Sequence, residues 1–125
     1  MSILLLDTHV FLWWRTNDAR IVDPVRDTIA RASLVFVSAA SAWEAATKCA
    51  LGRLNLPEPF GRGVDHSGFQ RLPIAFEHAD AAAALPRHHG DPFDRMLVAQ
   101  AQLEGCTLVS HDRRLEPYGA PMLWT

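Results

Sequence analysis

The chain has 125 residues, of which 49% are hydrophobic, and a formal net charge of −2. This composition is too apolar for a disordered chain and is sufficient for one core, so we expect a single domain over residues 1–125. The near-neutral charge excludes the global basic field of many nucleic-acid-binding modules, although an enzyme can still meet phosphates locally.

Apolar runs and helical segments alternate along the chain. Short, wholly apolar runs such as ILLL are typical of strands buried on both faces of a parallel sheet. Acid–proline pairs and glycines indicate where helices start and stop, with Asp23 and Asp91 as predicted caps. In chain order, we predict a strand over 3–6, a helix from 8, a helix over 23–32, a strand over 34–37, a helix from about 40 to 51, a loop with one short helix over 55–71, a strand over 72–74, a helix over 77–85, a helix over 92–104, and strands over 107–110 and 121–124. The alternation predicts an α/β fold with a parallel sheet of about five strands between helices.

Four acidic residues stand at the boundaries of these elements: Asp7, Glu44, Asp94 and Asp112. Three lie just after predicted strands and the fourth starts a helix from the same edge, where open parallel sheets bind their ligands. A carboxylate beside an apolar segment is costly to bury without compensation, and Lys48 is the only lysine. Clustered carboxylates suit hard divalent cations, two of which would balance the four charges. The sequence therefore predicts a metal site at this edge.

Each acid also has a local alternative as a helix cap. Asp7 and Asp112 can cap the turns that follow them. The segment Ser41-Ala42-Trp43-Glu44 fits a capping box. Asp91 is a better cap than Asp94 for the next helix, which leaves Asp94 free to point into a cleft. If all four acids only cap helices, the protein is a non-enzymatic binding module.

Other polar side chains are expected to support the acids. Ser38 and Ser41 suit caps or donors to the carboxylates, and Arg95 can meet another acid or the substrate. The histidines lack the spacing of a zinc site, with no HExxH or CxxC, and we expect surface or supporting roles for them. His9 and His111 flank two of the acids and could contact a substrate there.

The blocks LLLDTHVFLWW, VSAASAWEAATK, LPRHHGDPFDRMLVAQA and LVSHD together resemble PIN-domain ribonucleases, in particular the VapC-type toxins of VapBC toxin–antitoxin systems. The resemblance extends from Ile3 to Trp124. It implies a PIN-like fold and a metal-dependent endoribonuclease that hydrolyses RNA phosphodiesters through metal-activated water, leaving a 3′-hydroxyl and a 5′-phosphate. It also implies Mg²⁺ or Mn²⁺ as the cofactor, a homodimer, and a small antitoxin protein as partner.

Carried over residue by residue, the four acids of the family fall on this chain in order. They match Asp7, Glu44, Asp94 and Asp112. The first and third are expected to hold the principal metal ion, and the second and fourth to complete the site or orient the attacking water. Ser38 and Ser110 match small hydroxyl positions near the site, and Asp91 is a further acid with a supporting role.

A receiver-like phosphoacceptor domain is an alternative function, because it also combines a doubly wound sheet, clustered acids and Mg²⁺. That design needs a lysine near a late strand, whereas Lys48 follows the second predicted strand. Cys49 and Cys106 are the only cysteines and form no CxxC, which favours a reducing compartment. The apolar run at 3–6 is too short for a membrane span or a signal sequence. We therefore expect a cytoplasmic protein without a membrane partner.

Overall fold

The computed structural model describes residues 2–125 of the chain. Its elements are β1 (Ile3–Leu6), α1 (Thr8–Arg15), α2 (Asp23–Arg31), β2 (Leu34–Ser38), α3 (Ala39–Ala50), α4 (Phe60–His66), β3 (Gln70–Leu72), α5 (Phe76–Ala84), α6 (Pro92–Glu104), β4 (Thr107–Ser110), a 3-10 turn (Arg113–Tyr118) and β5 (Met122–Trp124). Within this range, we find no helix with the length and hydrophobicity needed to cross a lipid bilayer.

The five strands form one parallel sheet in the order β3-β2-β1-β4-β5. β1 lies at its centre, where Leu4 is paired with Val35 of β2 and with Thr107 of β4. Successive side chains of a strand point to opposite faces. Leu4 therefore packs into a core with α1 and α2, and Leu5 into a second core with α6. The predicted α/β fold is confirmed, and burial on both faces explains why β1 is wholly apolar.

Two predicted helix starts differ from the structure because other residues cap the helices. Asp23 is the first residue of α2 rather than its cap, which is Val22 and makes no side-chain cap bond. α3 begins at Ala39 because the hydroxyl of Ser38 accepts a hydrogen bond from the N–H of Ala40. The predicted cap of α6 is confirmed, since Asp91 accepts from the N–H groups of the two helical residues after Pro92.

The third strand is displaced from its predicted position at 72–74. It ends at Leu72, which is paired with Ser38 at the end of β2. Pro73 follows and has no N–H to donate to a neighbouring strand, so the ladder stops before it. Other boundaries also move by one residue: α2 ends at Arg31, β2 at Ser38 and α3 at Ala50, α5 covers Phe76–Ala84, and β5 begins at Met122.

The topology differs from that of a receiver-like domain. Flavodoxin-like doubly wound sheets have the strand order 2-1-3-4-5, whereas here β1 lies between β2 and β4. Lys48 is on α3 and is paired with Glu44, far in the chain from any late strand. The phosphoacceptor alternative is therefore wrong.

Candidate metal and active site

Asp7 links the end of β1 to the end of β4. Its side chain is buried, with Oδ1 accepting a 2.8 Å hydrogen bond from the N–H of Val10 and Oδ2 accepting from the hydroxyl of Ser110. Asp7 is thus both the cap of α1 and a member of a polar cluster between strands. Burial raises the pKa of Asp7 above its usual value, and the hydrogen bonds from Ser110 and Val10 only partly oppose that rise. Ser110, which the sequence places near the expected site, thus contacts its first acid.

Glu44 is held by groups from two helices. Its Oε1 accepts a 2.6 Å hydrogen bond from the hydroxyl of Thr8, and its Oε2 lies 3.1 Å from Nζ of Lys48. Ser41 is also buried, and its Oγ lies 2.9 Å from Oγ1 of Thr8. The capping-box interpretation of Glu44 is wrong, because Ser38 caps α3 and Ser41 lies within the helix. The Glu44 side chain instead lies inside the protein, where an isolated charge would be costly.

Asp94 is freed for the site because its neighbour Asp91 caps the helix. Oδ1 of Asp91 accepts from the N–H groups of Phe93 and Asp94, and the Asp94 carboxylate contacts a different residue. Oδ2 of Asp94 lies 3.0 Å from Nε2 of His89. Burial, helped by the nearby charges of Asp91, Asp7 and Glu44, raises the pKa of Asp94 to about 6, although the His89 contact acts in the opposite direction.

Asp112 approaches the same ring nitrogen of His89 as Asp94. Its Oδ2 lies 3.8 Å from the same Nε2 of His89, and both of its oxygens accept from the guanidinium of Arg114. The bond from Arg114 lowers the pKa of Asp112 to about 2. Asp112 also accepts from the N–H of Arg114, which confirms its predicted role as a cap of the final turn. The same side chain therefore caps the turn and contributes to the acid cluster.

The donor set fits a divalent cation. One atom each from His89, Asp94 and Asp112 lies within 4.8 Å of the other two. The charges of Asp7 and Glu44 act on Asp94 from nearby and raise its pKa, whereas Asp112 approaches the same group through His89, 3.8 Å away. Like-charged carboxylates in one site resist simultaneous ionisation, and a bound divalent cation would relieve that repulsion.

Two predicted supporting residues face away from the acids. Ser38 donates to the side-chain carbonyl of Gln100, and no contact with an acid is seen among residues 2–125. Arg95 binds the backbone carbonyl groups at the end of α5 and in the loop after it. Among residues 2–125, Arg95 therefore makes no contact with an acid, and its expected contact with the substrate stays a prediction. Its guanidinium instead holds the loop that carries His89.

Sequence reasoning missed three side chains that shape the site: Thr8, His89 and Arg114. Thr8 follows the first acid directly, but its partner Glu44 lies 36 positions further along the chain. His89 precedes the GDPFD block, and its proximity to an acid in the sequence was the signal available for it. Arg114 lies two positions after Asp112, within reach of a cap residue at the start of a turn.

Three aromatic rings lie beside Asp7 at the mouth of the cluster. The ring of Trp13 lies 4.9 Å from that of His111 and 6.2 Å from that of His9, between ring centres. Nδ1 of His111 is 4.0 Å from Oδ2 of Asp7, and the guanidinium of Arg20 packs 4.8 Å from the centre of the Trp13 ring. Burial and the charge of Lys48 lower the pKa of His9, which favours its neutral ring. The group offers flat, partly exposed surfaces next to a carboxylate.

Comparison with known proteins places this site in a wider context. A family model described as the PIN domain matches residues 4–120. Among curated proteins, the chain is similar to Ribonuclease VapC22 of Mycobacterium tuberculosis, with 32% identity over 124 residues, which covers 97% of this chain and 95% of that protein.

Solved structures show the same fold at low sequence identity. VapBC2 from Rickettsia felis, bound to a DNA fragment from its promoter, gives a TM-score of 0.72 at 11% identity and covers 98% of both chains. DNA-bound VapBC from Salmonella typhimurium gives 0.66 at 16% identity over 98% of both chains. FitAcB from Neisseria gonorrhoeae gives 0.61 at 18% identity over 96% of both chains.

Proposed function

The chain belongs to the PIN-domain family, and from this premise we propose that it is a metal-dependent endoribonuclease, the toxin of a type II toxin–antitoxin pair. Residues 1–125 would form a single PIN-like domain. The observation that carries the proposal is the arrangement of acids at the carboxyl edge of the sheet, where Asp94 and Asp112 lie against the imidazole of His89 and the charges of Asp7 and Glu44 act on Asp94. The 32% identity with a ribonuclease of this family supports the same activity.

The surroundings of the four acids differ, and their proposed roles differ accordingly. One oxygen each of Asp94 and Asp112 lies within 4.8 Å of the other and of a ring nitrogen of His89, and Asp7 and Glu44 lie nearby with hydrogen bonds that fix their orientation. A bound Mg²⁺ or Mn²⁺ would neutralise the phosphodiester charge and supply activated water for its hydrolysis. Within the site, Ser110 would hold Asp7 and Thr8 would hold Glu44, so that neither carboxylate has to reorganise when RNA enters.

Support for RNA as substrate comes from the aromatic group beside Asp7. Unpaired bases stack on aromatic side chains, and proteins that bind single-stranded RNA combine such stacking with local cationic groups. Trp13, His9 and His111 offer the rings, and Arg20 offers the charge. We expect a single-stranded segment to lie across this group with its scissile phosphate over the acids.

We further propose a small antitoxin protein as partner and a homodimer as the assembled form, in the cytoplasm. The solved relatives are toxin–antitoxin complexes, which supports the first part. Large apolar side chains at the surface, Phe76 at 91% exposure and Trp43 at 64%, favour burial against another chain. Size measurement of the purified protein, alone and with the product of an adjacent small gene, tests both parts.

The activity is tested by incubating a labelled single-stranded RNA with metal-free protein, to which Mg²⁺ or Mn²⁺ is then added. We expect cleavage that needs the metal and is lost in Asp7→Asn and Asp94→Asn, with 3′-hydroxyl and 5′-phosphate ends. Asp27→Asn is the matched control, because Asp27 is an exposed acid on α2. Equal cleavage by the wild type and both site variants would refute the assignment.

A further inference from the structure

A histidine lies against two carboxylates of the cluster. Nε2 of His89 lies 3.0 Å from Asp94 and 3.8 Å from Asp112, and the side chain of His89 is only 10% exposed. Neutral imidazole nitrogen is a good ligand for divalent transition metals, and carboxylate oxygens bind both these ions and Mg²⁺. The three groups are close enough to meet one ion after small side-chain rotations.

The backbone around this histidine is held from outside the site. The N–H of His89 donates a 3.0 Å hydrogen bond to the hydroxyl of Tyr118, and that hydroxyl lies 3.2 Å from the carbonyl oxygen of the same residue. The guanidinium of Arg95 contacts that carbonyl as well. These bonds fix the position of the backbone from which the imidazole reaches the acids. His89 therefore reaches the acids from a braced loop rather than from a free one.

We propose that His89 is a nitrogen ligand of the divalent cation, in a His–Asp–Asp set with Asp94 and Asp112. The inference rests on the proposed function, because it adds a ligand to the same metal site. Mg²⁺ prefers oxygen ligands and keeps several waters, whereas imidazole favours transition ions. One nitrogen in the set shifts the selectivity of the site from Mg²⁺ towards Mn²⁺.

The test detects the bond between a histidine nitrogen and the metal ion rather than RNA cleavage. Metal-free protein is loaded with Mn²⁺, and electron spin-echo spectroscopy detects nitrogen nuclei coupled to the ion. We expect ¹⁴N modulation in the wild type and its loss in His89→Gln, whose amide oxygen can still occupy the position. Histidine-specific ¹⁵N labelling of the wild type assigns the signal to histidine without any substitution.

His88→Gln is the matched control. His88 is exposed, and its ring packs 5.1 Å from that of Tyr118, so the substitution removes a neighbouring imidazole from the same loop. We expect this variant to keep the nitrogen signal. Calorimetric titration should show Mn²⁺ affinity at least about tenfold weaker in His89→Gln, with Mg²⁺ affinity changed by less than about threefold.

The outcomes separate this inference from the proposed function. Mn²⁺ bound to the wild type without nitrogen modulation, or modulation retained in His89→Gln, would overturn the role of His89. Metal-dependent RNA cleavage by the wild type in either case would leave the nuclease assignment standing. Absence of both Mn²⁺ binding and cleavage in the wild type would overturn the two together.

Discussion

The hydroxyl of Thr8 donates a 2.6 Å hydrogen bond to Oε1 of Glu44, and the bond joins the first turn of α1 to α3. Both residues are buried, and the other oxygen of Glu44 is paired with Lys48. A buried carboxylate with partners on both oxygens is oriented as well as compensated. Thr8 therefore determines where the charge of Glu44 lies within the acid cluster.

We expect Thr8→Val to lower the free energy of unfolding by about 1–3 kcal/mol, because a buried acceptor loses its donor. RNA cleavage should fall as well, since Glu44 would no longer be held. Thr8→Ser keeps the hydroxyl and should restore most of both properties. Urea unfolding and a cleavage assay measure the two effects.

The control for this substitution is Thr47→Val. Thr47 lies on the exposed face of α3 and donates only to the backbone carbonyl of Trp43. Its change should alter the free energy of unfolding by no more than about 0.5 kcal/mol. A loss of stability in Thr47→Val as large as that in Thr8→Val would contradict the role given to the Thr8–Glu44 bond.

The metal-free protein should lose stability as the pH rises from about 4 to about 6. Asp94 has a pKa raised to about 6 in the folded protein, against 3.8 as its ordinary value. The folded state therefore binds more protons than the unfolded state in this window, so the free energy of unfolding falls with rising pH, by at most about 3 kcal/mol. The raised pKa of Asp7 acts in the same direction.

Asp112 affects the free energy of unfolding in the opposite direction and in a separate pH range. Its pKa is lowered to about 2, so its contribution is present above 3.8 and is lost as the pH falls towards 2. Urea unfolding in EDTA between pH 4.5 and pH 7 avoids the pH range of Asp112, and comparison with Asp94→Asn separates the effect of Asp94 from those of Asp7 and His9. Asp94→Asn should flatten the slope and be the more stable protein at pH 7, and an unchanged slope would disprove the buried-acid account.

The positions of the acids could be predicted from the sequence, because they depend on local information. Asp7 and Asp112 follow strand ends that apolar runs identify, and the proline after Asp91 identifies the start of α6. Parallel strands then bring these ends to one edge without further detail. The contacts that orient the acids could not be predicted in this way. Ser110 and Asp7 are separated by 103 positions, and only the packed fold makes them neighbours.

Local pattern also favoured a wrong explanation where two local solutions competed. Ser41 and Glu44 have the spacing of a capping box, yet Ser38 supplies the cap three residues earlier. The earlier cap lets α3 begin directly from β2 and turns Ser41 and Glu44 inward. Burial of Ser41 and Glu44 in the packed fold favoured the cap by Ser38 over the capping box. That burial cannot be read from the local sequence pattern.

Divalent metal should stabilise the folded protein through the acid cluster. A ligand that binds only the folded state at about 100 times its dissociation constant adds about 2.7 kcal/mol, which corresponds to a rise in Tm on the order of 10 °C for a chain of this size. We expect this rise for metal-free wild type with Mn²⁺ and its loss in Asp112→Asn. Asp27→Asn, with its exposed acid, should respond as the wild type does, and the absence of any rise in the wild type would count against the metal site.

Gln100 lies in the middle of α6 and is hydrogen-bonded to the end of β2 and to the segment that precedes α5. It is fully buried, its side-chain carbonyl accepts from the hydroxyl of Ser38, and its amide lies 3.2 Å from the carbonyl of Pro73. Gln100→Leu keeps the approximate volume but leaves these partners without their bonds, so the free energy of unfolding should fall by about 1–3 kcal/mol.

The matched control for Gln100 is Gln102→Leu, two residues further along the same helix. Gln102 is exposed and makes only a 3.4 Å contact with the backbone of Tyr118. Urea unfolding of the two variants should therefore give a clear loss for Gln100→Leu and a change within about 0.5 kcal/mol for Gln102→Leu. Equal effects would show that α6 tolerates an apolar residue at the buried position, and that Ser38 and Pro73 do not depend on Gln100 for their bonds.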